Sequence, residues 1–174
     1  MARKCVHYGK KIISILYIKE PLPIWGGLYL PKITTMLRAI STTIVGAVLG
    51  MIGMMGMHYM SMVFYPLPEG ITMEDADALN KYMEIAPLGA MLLVIVSHAM
   101  GSFIGALVAT LLSQVSKWEN TTAFKYQFLI IGLIFTYAGW CNLESLTHPF
   151  WFKIDLLFYL PAAYLGYKLV MKKY

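Results

Sequence analysis

Charged side chains are scarce in this sequence. Only 13% of the 174 residues are Asp, Glu, Lys or Arg, whereas 59% are hydrophobic. A soluble domain carries about 25% charged residues. So few charges cannot cover a surface that faces water on all sides, and the composition therefore predicts an integral membrane protein.

Cysteine and catalytic motifs are also scarce. The two cysteines, Cys5 and Cys141, fall in segments that we place on opposite sides of a membrane, which argues against a disulfide. The sequence contains no HExxH motif, no phosphate-binding glycine loop and no paired carboxylates within an apolar segment. We therefore expect a protein that is not an enzyme and has no cofactor.

Four apolar segments are long enough to cross a bilayer, which takes about 20 residues. They are residues 39–64, 87–113, 127–143 and 155–171. The fourth carries Asp155 and Lys168 near its ends, where we expect both to reach the headgroups, and Pro161 mid-span, where we expect a kink. The predicted fold is an all-α membrane protein, a bundle of four transmembrane helices.

The distribution of charge predicts the orientation of the chain. Of the 14 Lys and Arg residues, 12 lie on the side of the two termini, and seven of the nine acidic residues lie on the other side. By the positive-inside rule both termini are cytoplasmic, in the inner (cytoplasmic) membrane of a cell. The basic excess then indicates topology and contact with the lipid bilayer, and no nucleic-acid partner.

The two ends of the chain are predicted to lie outside the bilayer. Residues 1–38 form a basic cytoplasmic or interfacial segment in which Pro and Gly interrupt the apolar residues. Met36 is an alternative translation start directly before the first span. Residues 172–174 form a cytoplasmic tail.

Two loops on the outer side have recognisable features. The first begins with a turn, YPLPEG, whose key residues are Tyr65, Pro66, Pro68 and Gly70. Helical spacing then predicts a short amphipathic helix over residues 73–85 with Thr72 as its N-cap, and Pro87 suits the first position of the next helix. In the other loop, after His148 and Pro149, we expect Phe150, Trp151 and Phe152 to form a belt at headgroup level.

Small residues recur every fourth position in the first two spans. Gly46 and Gly50 have GxxxG spacing, and Ser97, Gly101, Gly105 and Ala109 continue the pattern in the second span. Such residues let helices approach closely in lipid. Packing of the two spans within one chain is the favoured interpretation, with dimerisation as the alternative.

Two histidines, His58 and His98, lie inside apolar segments and are the candidate intramembrane polar residues. Counted from the outer ends of untilted spans, they differ in depth by roughly 7 to 8 Å, too far apart to share one ligand shell. We expect each to be a neutral histidine that hydrogen-bonds to a neighbouring helix. The alternative is a site on an ion path.

Methionine is concentrated in residues 50–62, which contain six methionines and His58. Met54, His58 and Met62 share one helix face, and thioether and imidazole ligands suit copper(I). Methionine is also a flexible packing residue that fits around glycine-containing helices. Packing is the favoured interpretation, and a copper or haem site is the alternative.

The chain resembles a family of small, uncharacterised bacterial four-span membrane proteins. The motifs that carry the resemblance are YPLPEG at residues 65–70, APLGAMLLVIVSHAMGSFIGALVA at 86–109 and HPFWFKIDLLFYLPAAYLG at 148–166. The resemblance covers about 80% of the chain and implies a four-span topology, but no activity. The leading functional hypothesis is a non-enzymatic accessory subunit of a larger membrane complex, or a homo-oligomer. The alternatives are a small transporter or channel using its histidines, and the metal site above.

Overall fold

The computed structural model describes residues 30–72, 74–115, 126–146 and 148–172. The chain divides into two compact units, Met1–Thr34 and Thr35–Tyr174. The described part of the first unit is the beginning of a helix. The expectations for residues 1–29 and for the last two residues fall outside the described residues.

Most of the described residues are helical, and they contain no β-strand. The helices are α1 (Leu30–Phe64), α2 (Ala76–Ile85), α3 (Leu88–Val115), α4 (Gln127–Ser145), a 3-10 helix (Phe150–Leu157) and α5 (Tyr159–Met171). Four stretches are long and apolar enough to cross a membrane: Met36–Phe64, Leu88–Gln114, Gln127–Ser145 and Phe150–Met171. The prediction of an all-α protein with four long apolar helices and a short helix in the first loop is confirmed.

The first helix is longer than the sequence predicted. The predicted span starts at residue 39, but α1 begins at Leu30 and includes residues 30–38 without a break. Pro31 lies in its first turn, where the missing backbone N–H of proline would have no helical partner in any case. This part of the segment predicted to lie at the interface is therefore helical.

The fourth apolar stretch contains two kinds of helix. It begins as a 3-10 helix at Phe150 and continues as α5 after a turn at Phe158, so Pro161 lies in the first turn of α5 and the change of helix type lies three residues before it. The kink predicted at Pro161 stays a prediction. Pro161 has no N–H to give to the carbonyl of Leu157, and its ring crowds that carbonyl. The residues before it use i→i+3 bonds instead, as in the 3.0 Å bond from the Phe158 N–H to the Asp155 carbonyl.

The first loop differs from the prediction at its helix start. The predicted N-cap was Thr72, but Asp75 caps α2 and its Oδ1 accepts from the Ala78 N–H at 3.0 Å. An Asp side chain is a stronger N-cap than Thr. Gly70 has the positive φ of 84° that the predicted turn requires. Pro87 was predicted at the first position of the next helix, but it directly precedes α3, and its carbonyl accepts from the Met91 N–H at 3.2 Å.

Two apolar clusters form the core. One joins α3, α4 and α5 and consists of Ala106, Ala109, Ile131, Phe135, Tyr159 and Ala163. The other consists of Met91, Ile95 and Phe152 and lies at the loop end, where residues 65–87 and 146–149 connect the helices. Phe152 is 0% exposed, so its predicted place in an aromatic belt is wrong. The neighbouring Phe150 and Trp151 are exposed.

The helices α1 and α3 approach each other at their glycines. A Cβ atom added at Gly50 would lie 2.5 Å from the carbonyl oxygen of Gly101, and one at Gly46 would lie 2.6 Å from that of Gly105. Ala109 packs beside Gly46. Only residues without a side chain fit at Gly46 and Gly50. Ser97 is buried elsewhere on α3, and its hydroxyl donates to the Leu93 carbonyl at 2.7 Å.

Candidate functional site

A buried carboxylate stands at the centre of the candidate site. Asp155, in the 3-10 helix, is 1% exposed. Its Oδ2 lies 2.7 Å from Nδ1 of His98 on α3 and accepts from the Tyr159 hydroxyl of α5 at 2.8 Å. The expectation that Asp155 reaches the headgroups is therefore wrong. The 3-10 helix begins five residues before Asp155 and turns its side chain towards α3.

The site lies well inside the apolar part of the bundle. His98 is ten residues into α3, about 15 Å from the start of that helix at a rise of 1.5 Å per residue. Asp155 is five residues into the 3-10 helix, about 10 Å from its start. Both depths are counted from the loop end.

The second histidine contacts the first. The rings of His58 and His98 meet edge to face with their centroids 5.1 Å apart. The prediction that depth separates them holds only for untilted helices, and the structure shows it to be wrong, because the glycine contacts bring α1 against α3. His58 is partly buried, whereas His98 is buried.

Tyr159 completes the His98 cluster, which we define as His58, His98, Asp155 and Tyr159. The Tyr159 ring stacks on the His98 ring at a centroid distance of 5.7 Å. Its hydroxyl lies against Gly139 of α4, where an added Cβ would be 2.7 Å from the Tyr159 Cζ atom. Helices α1, α3, α4 and α5 therefore all border the cluster.

Two buried polar atoms have no hydrogen-bond partner within the part of the chain that the structure describes: Oδ1 of Asp155 and Oγ of Ser102. An unsatisfied buried polar group costs about 1–3 kcal/mol. Ser102 lies one helical turn after His98, whereas the other buried hydroxyls of α3, on Ser97, Thr110 and Ser113, donate to carbonyls four residues back. The site thus retains polar groups that its own hydrogen bonds do not satisfy.

A third histidine lies at the loop end, directly before the 3-10 helix. His148 is half-buried, its ring stacks on Phe152 with centroids 4.7 Å apart, and its Nδ1 lies 2.7 Å from the Leu146 carbonyl oxygen. Burial is the largest influence on His148 and lowers its pKa. The hydrogen bond to the Leu146 carbonyl and the charge of Asp155 raise the pKa by smaller amounts, and His98 lowers it further. His148 is therefore electrostatically linked to the His98–Asp155 pair.

A separate polar cluster lies at the other end of the bundle, around Gln127. The Gln127 Nε2 donates to the Ala39 carbonyl at 3.1 Å, to the Thr42 hydroxyl at 2.7 Å and to the Thr43 hydroxyl at 3.2 Å. Its Oε1 accepts from the Ser113 hydroxyl at 2.7 Å. This buried amide joins α1, α3 and α4 and leaves no side-chain atom unsatisfied.

The remaining predicted residues are spread over the bundle. Met54 packs beside Gly101 and against the core, and Met62 is partly buried two turns further along α1. Among the described residues, no group of three or more His, Cys, Asp or Glu is placed to hold a metal ion. In the first loop Tyr65 packs on Gly89, whereas Pro66, Pro68 and Gly70 are exposed. Pro149 caps the 3-10 helix, and Trp151 meets Phe152 edge to face.

Asp155, Tyr159 and Gln127 were missed as site residues. A signal for the first two is present in the sequence, because Asp155 and Tyr159 are four residues apart in an otherwise apolar segment. Gln127 has no comparable signal, since a glutamine at the edge of an apolar segment usually faces water.

No family model matches the sequence, and no curated protein or solved structure is significantly similar to it. The geometry of the His98 cluster is therefore what defines its chemistry. The cluster brings one carboxylate, two imidazoles and a phenol together in an apolar bundle, a set of groups that can bind and release ions or protons.

Proposed function

We propose that this chain is a multi-pass integral membrane protein that works as a small transporter or channel, with the His98–Asp155 pair as its ion site. The buried, hydrogen-bonded Asp155 carboxylate is the observation that carries the proposal. We propose further that both termini are cytoplasmic, as the distribution of Lys and Arg predicts. The proposal assigns no enzymatic activity to the chain.

The exposed surface supports the membrane assignment. The outward side of α1 carries large apolar side chains such as Ile52, Met55 and Val63, all more than half exposed. A contiguous apolar surface of this kind is unfavourable in water and matches the hydrocarbon core of a bilayer. The four long apolar helices have the lengths that such a bilayer requires.

The free-energy cost of placing the Asp155 carboxylate inside a membrane supports a role in transport. A carboxylate at the centre of a membrane helix costs about 2.5–3.5 kcal/mol on insertion scales. Such residues face the bundle interior, pair with other polar groups and mark ion or proton pathways. Asp155 has the first two of these features, because it is buried within the bundle, paired with His98 and hydrogen-bonded by Tyr159.

The second candidate is a non-enzymatic accessory subunit of a larger complex, or a homo-oligomer. The same contact favours it, because the His98–Asp155 hydrogen bond connects α3 to the fourth apolar stretch and could serve stability alone. Interhelical polar contacts within membranes contribute about 0.6 kcal/mol on average. Such a contact needs no ion flux to explain it.

Ion flux into liposomes separates the two candidates. We expect the reconstituted protein to conduct protons, Na⁺ or K⁺, and the variants Asp155→Asn and His98→Ala to abolish the flux. The matched control is Asp75→Asn, which changes an exposed N-cap that asparagine fills equally well. Flux no greater than in protein-free liposomes refutes transport. Native mass spectrometry from the protein's own membranes then distinguishes partner polypeptides, multiples of the chain, and bound copper or haem at Met54, His58 and Met62.

A further inference from the structure

The geometry points to the proton as the ion bound at this site, with Asp155 Oδ1 as the atom that takes it up and the loop end as the side from which it arrives, past His148 and Phe152. This inference rests on the proposed transport function and names its substrate and direction of access.

The coordination of Asp155 favours a proton over a metal cation. Its Oδ2 already faces both His98 Nδ1 and the Tyr159 hydroxyl, so Oδ1 is the free acceptor of the carboxylate. Calcium and magnesium take six or more oxygen ligands, and zinc takes about four ligands. One free oxygen cannot provide such a shell, but it is enough to bind a proton.

Proton uptake at Oδ1 leaves the other contacts of the carboxylate intact. The step forms one O–H bond at Oδ1 and changes the charge of Asp155 from −1 to 0, while Oδ2 keeps accepting from the Tyr159 hydroxyl. Release breaks the same O–H bond and restores the carboxylate. The cluster can therefore alternate between two protonation states without rebuilding its hydrogen bonds.

The titratable groups around Asp155 come from α1, α3, α5 and the loop before the 3-10 helix. They are His98 from α3, His58 from α1 through its contact with His98, Tyr159 from α5, and His148 from the preceding loop. Helix α4 contributes Gly139, which is not titratable, behind the Tyr159 hydroxyl. These four groups are the titratable side chains nearest the carboxylate among the described residues.

The 3-10 helix connects Asp155 to the loop end. Side chains three residues apart eclipse in a 3-10 helix, so Phe152 lies above Asp155 on the same face. Phe152 is fully buried, and the half-buried His148 stacks on its ring. One aromatic ring thus separates Asp155 from a histidine that reaches the surface.

In the opposite direction the described residues include buried hydroxyl groups, such as that of Ser102, but no buried titratable side chain. Beyond Tyr159 the core continues with Ala106, Ile131, Phe135 and Ala163. The Thr110 hydroxyl in this region donates its hydrogen bond to the Ala106 carbonyl at 2.7 Å. A proton that leaves Asp155 therefore meets a titratable side chain towards the loop end and an apolar cluster towards the opposite end.

Proton flux with a pH-sensitive dye trapped in liposomes, driven by a potassium diffusion potential, tests the inference in the full-length protein. Asp155→Asn should abolish proton uptake. His148→Phe keeps the aromatic stack but removes the titratable ring, and should slow uptake by about 100-fold, the usual contribution of a positioned proton-transfer group. The control Phe150→Leu changes a neighbouring aromatic residue that is 83% exposed, and it should leave the rate unchanged.

Infrared difference spectra on titration supply a readout that does not depend on transport. Subtracting the spectrum of Asp155→Asn from that of the native protein should leave one protonated-carboxyl C=O band that shifts in heavy water, because the other acidic residues contribute equally to both spectra. Phe152→Leu should accelerate uptake by shrinking the ring that separates the two groups. Leucine retains an apolar side chain there, so this variant is expected to fold where alanine could leave a damaging cavity.

The possible failures are distinguishable. Flux of Na⁺ or K⁺ without protons preserves the transport function and overturns the inference. Absence of all ion flux overturns both. Proton flux that survives Asp155→Asn, or identical carboxyl bands in that variant and the native protein, removes Asp155 as the binding group. Rates unchanged by both His148→Phe and Phe152→Leu overturn access from the loop end.

Discussion

Asp155 and Tyr159 show how the position of one residue determines that of another. They are four residues apart, and the Tyr159 hydroxyl returns to donate to Asp155 Oδ2. Gly139 of α4 leaves the room that the hydroxyl occupies. The hydrogen bond therefore depends on a residue on another helix that has no side chain.

Gly139→Ala should displace the Tyr159 hydroxyl from Asp155. The added methyl group overlaps the hydroxyl and the ring carbon that bears it, so we expect a loss of stability of about 1–3 kcal/mol, typical of overpacking. Thermal unfolding in detergent measures the loss. In the Tyr159→Phe background the same substitution should cost less, since the hydroxyl is gone. An equal cost in both backgrounds would show that the hydroxyl is not what the methyl group meets.

Protonation of His148 should destabilise the fold. Because burial lowers the pKa of His148 in the folded state, its neutral form contributes stability that is complete above the unfolded pKa of about 6.5 and is lost as the pH falls below it. Unfolding midpoints of the native protein and His148→Gln, compared between about pH 8 and pH 5, measure this term. The native protein should lose more stability than the variant, and parallel pH profiles would contradict the prediction.

The sequence predicted the two histidines of the site but not its carboxylate, and the reason is physical. His58 and His98 stand out because each is a titratable residue within a long apolar run. Asp155 stood at the edge of the predicted span, where a charge can reach the headgroups. Hydropathy does not distinguish a 3-10 helix from a loop, so the eight residues that carry Asp155 inward could not be predicted from it.

At the scale of secondary-structure elements, the contact between α1 and α3 involves backbone atoms. Gly50 faces the carbonyl oxygen of Gly101 and lies 3.0 Å, measured from an added Cβ, from the Cα of Gly105. Backbone atoms in the middle of a helix cannot rotate away as a side chain can. The contact therefore sets the distance between the two helices and, with it, the approach of His58 to His98.

Gly50→Ala should separate α1 from α3, whereas Gly56→Ala should not. Alanine is the better helix former by about 1 kcal/mol, which favours both substitutions equally. At Gly50 the overlap with backbone should outweigh this gain and cost about 1–3 kcal/mol net. At Gly56 an added Cβ meets nothing within 4 Å, so only the gain remains. Unfolding in detergent should rank Gly56→Ala above the native protein and Gly50→Ala below it; the reverse order would refute the packing.

Helix existence was easier to predict from the sequence than helix boundaries. Length and hydropathy identified all four apolar stretches, because both properties can be read from one segment without knowing what it packs against. The start of α1 at Leu30 was missed, since Pro and Gly on its N-terminal side suggested irregular backbone. Asp75 rather than Thr72 begins α2, a choice between two adequate caps that the sequence leaves open.

At the scale of the whole molecule, two polar clusters connect different sets of helices. The Gln127 amide joins α1, α3 and α4 at one end. The His98–Asp155 pair joins α3 to the fourth apolar stretch nearer the loop end. Helix α3 takes part in both, in keeping with its being the most buried of the four.

Gln127→Leu should destabilise the bundle without changing the His98 cluster. Removing the amide leaves the Ala39 carbonyl and the Ser113 hydroxyl with fewer partners, and we expect a cost of about 1–3 kcal/mol. Gln114→Leu, at a more accessible position, should change stability by less than about 0.5 kcal/mol. Similar unfolding midpoints for the two variants would show that the amide is not a structural contact. Retained ion flux in Gln127→Leu would separate stability from transport.

The order of the helices along the chain has a consequence for biosynthesis. A membrane protein is made from its N-terminus, and the stretch that contains Asp155 is the last of the four to leave the ribosome. In the bilayer that we propose for this protein, its carboxylate makes it the most costly of the four to insert. By then α3 has been synthesised, and His98 is already available as a hydrogen-bond partner. The chain thus produces the partner before the charge, and translocation machinery would need to hold the final segment only until it reaches α3.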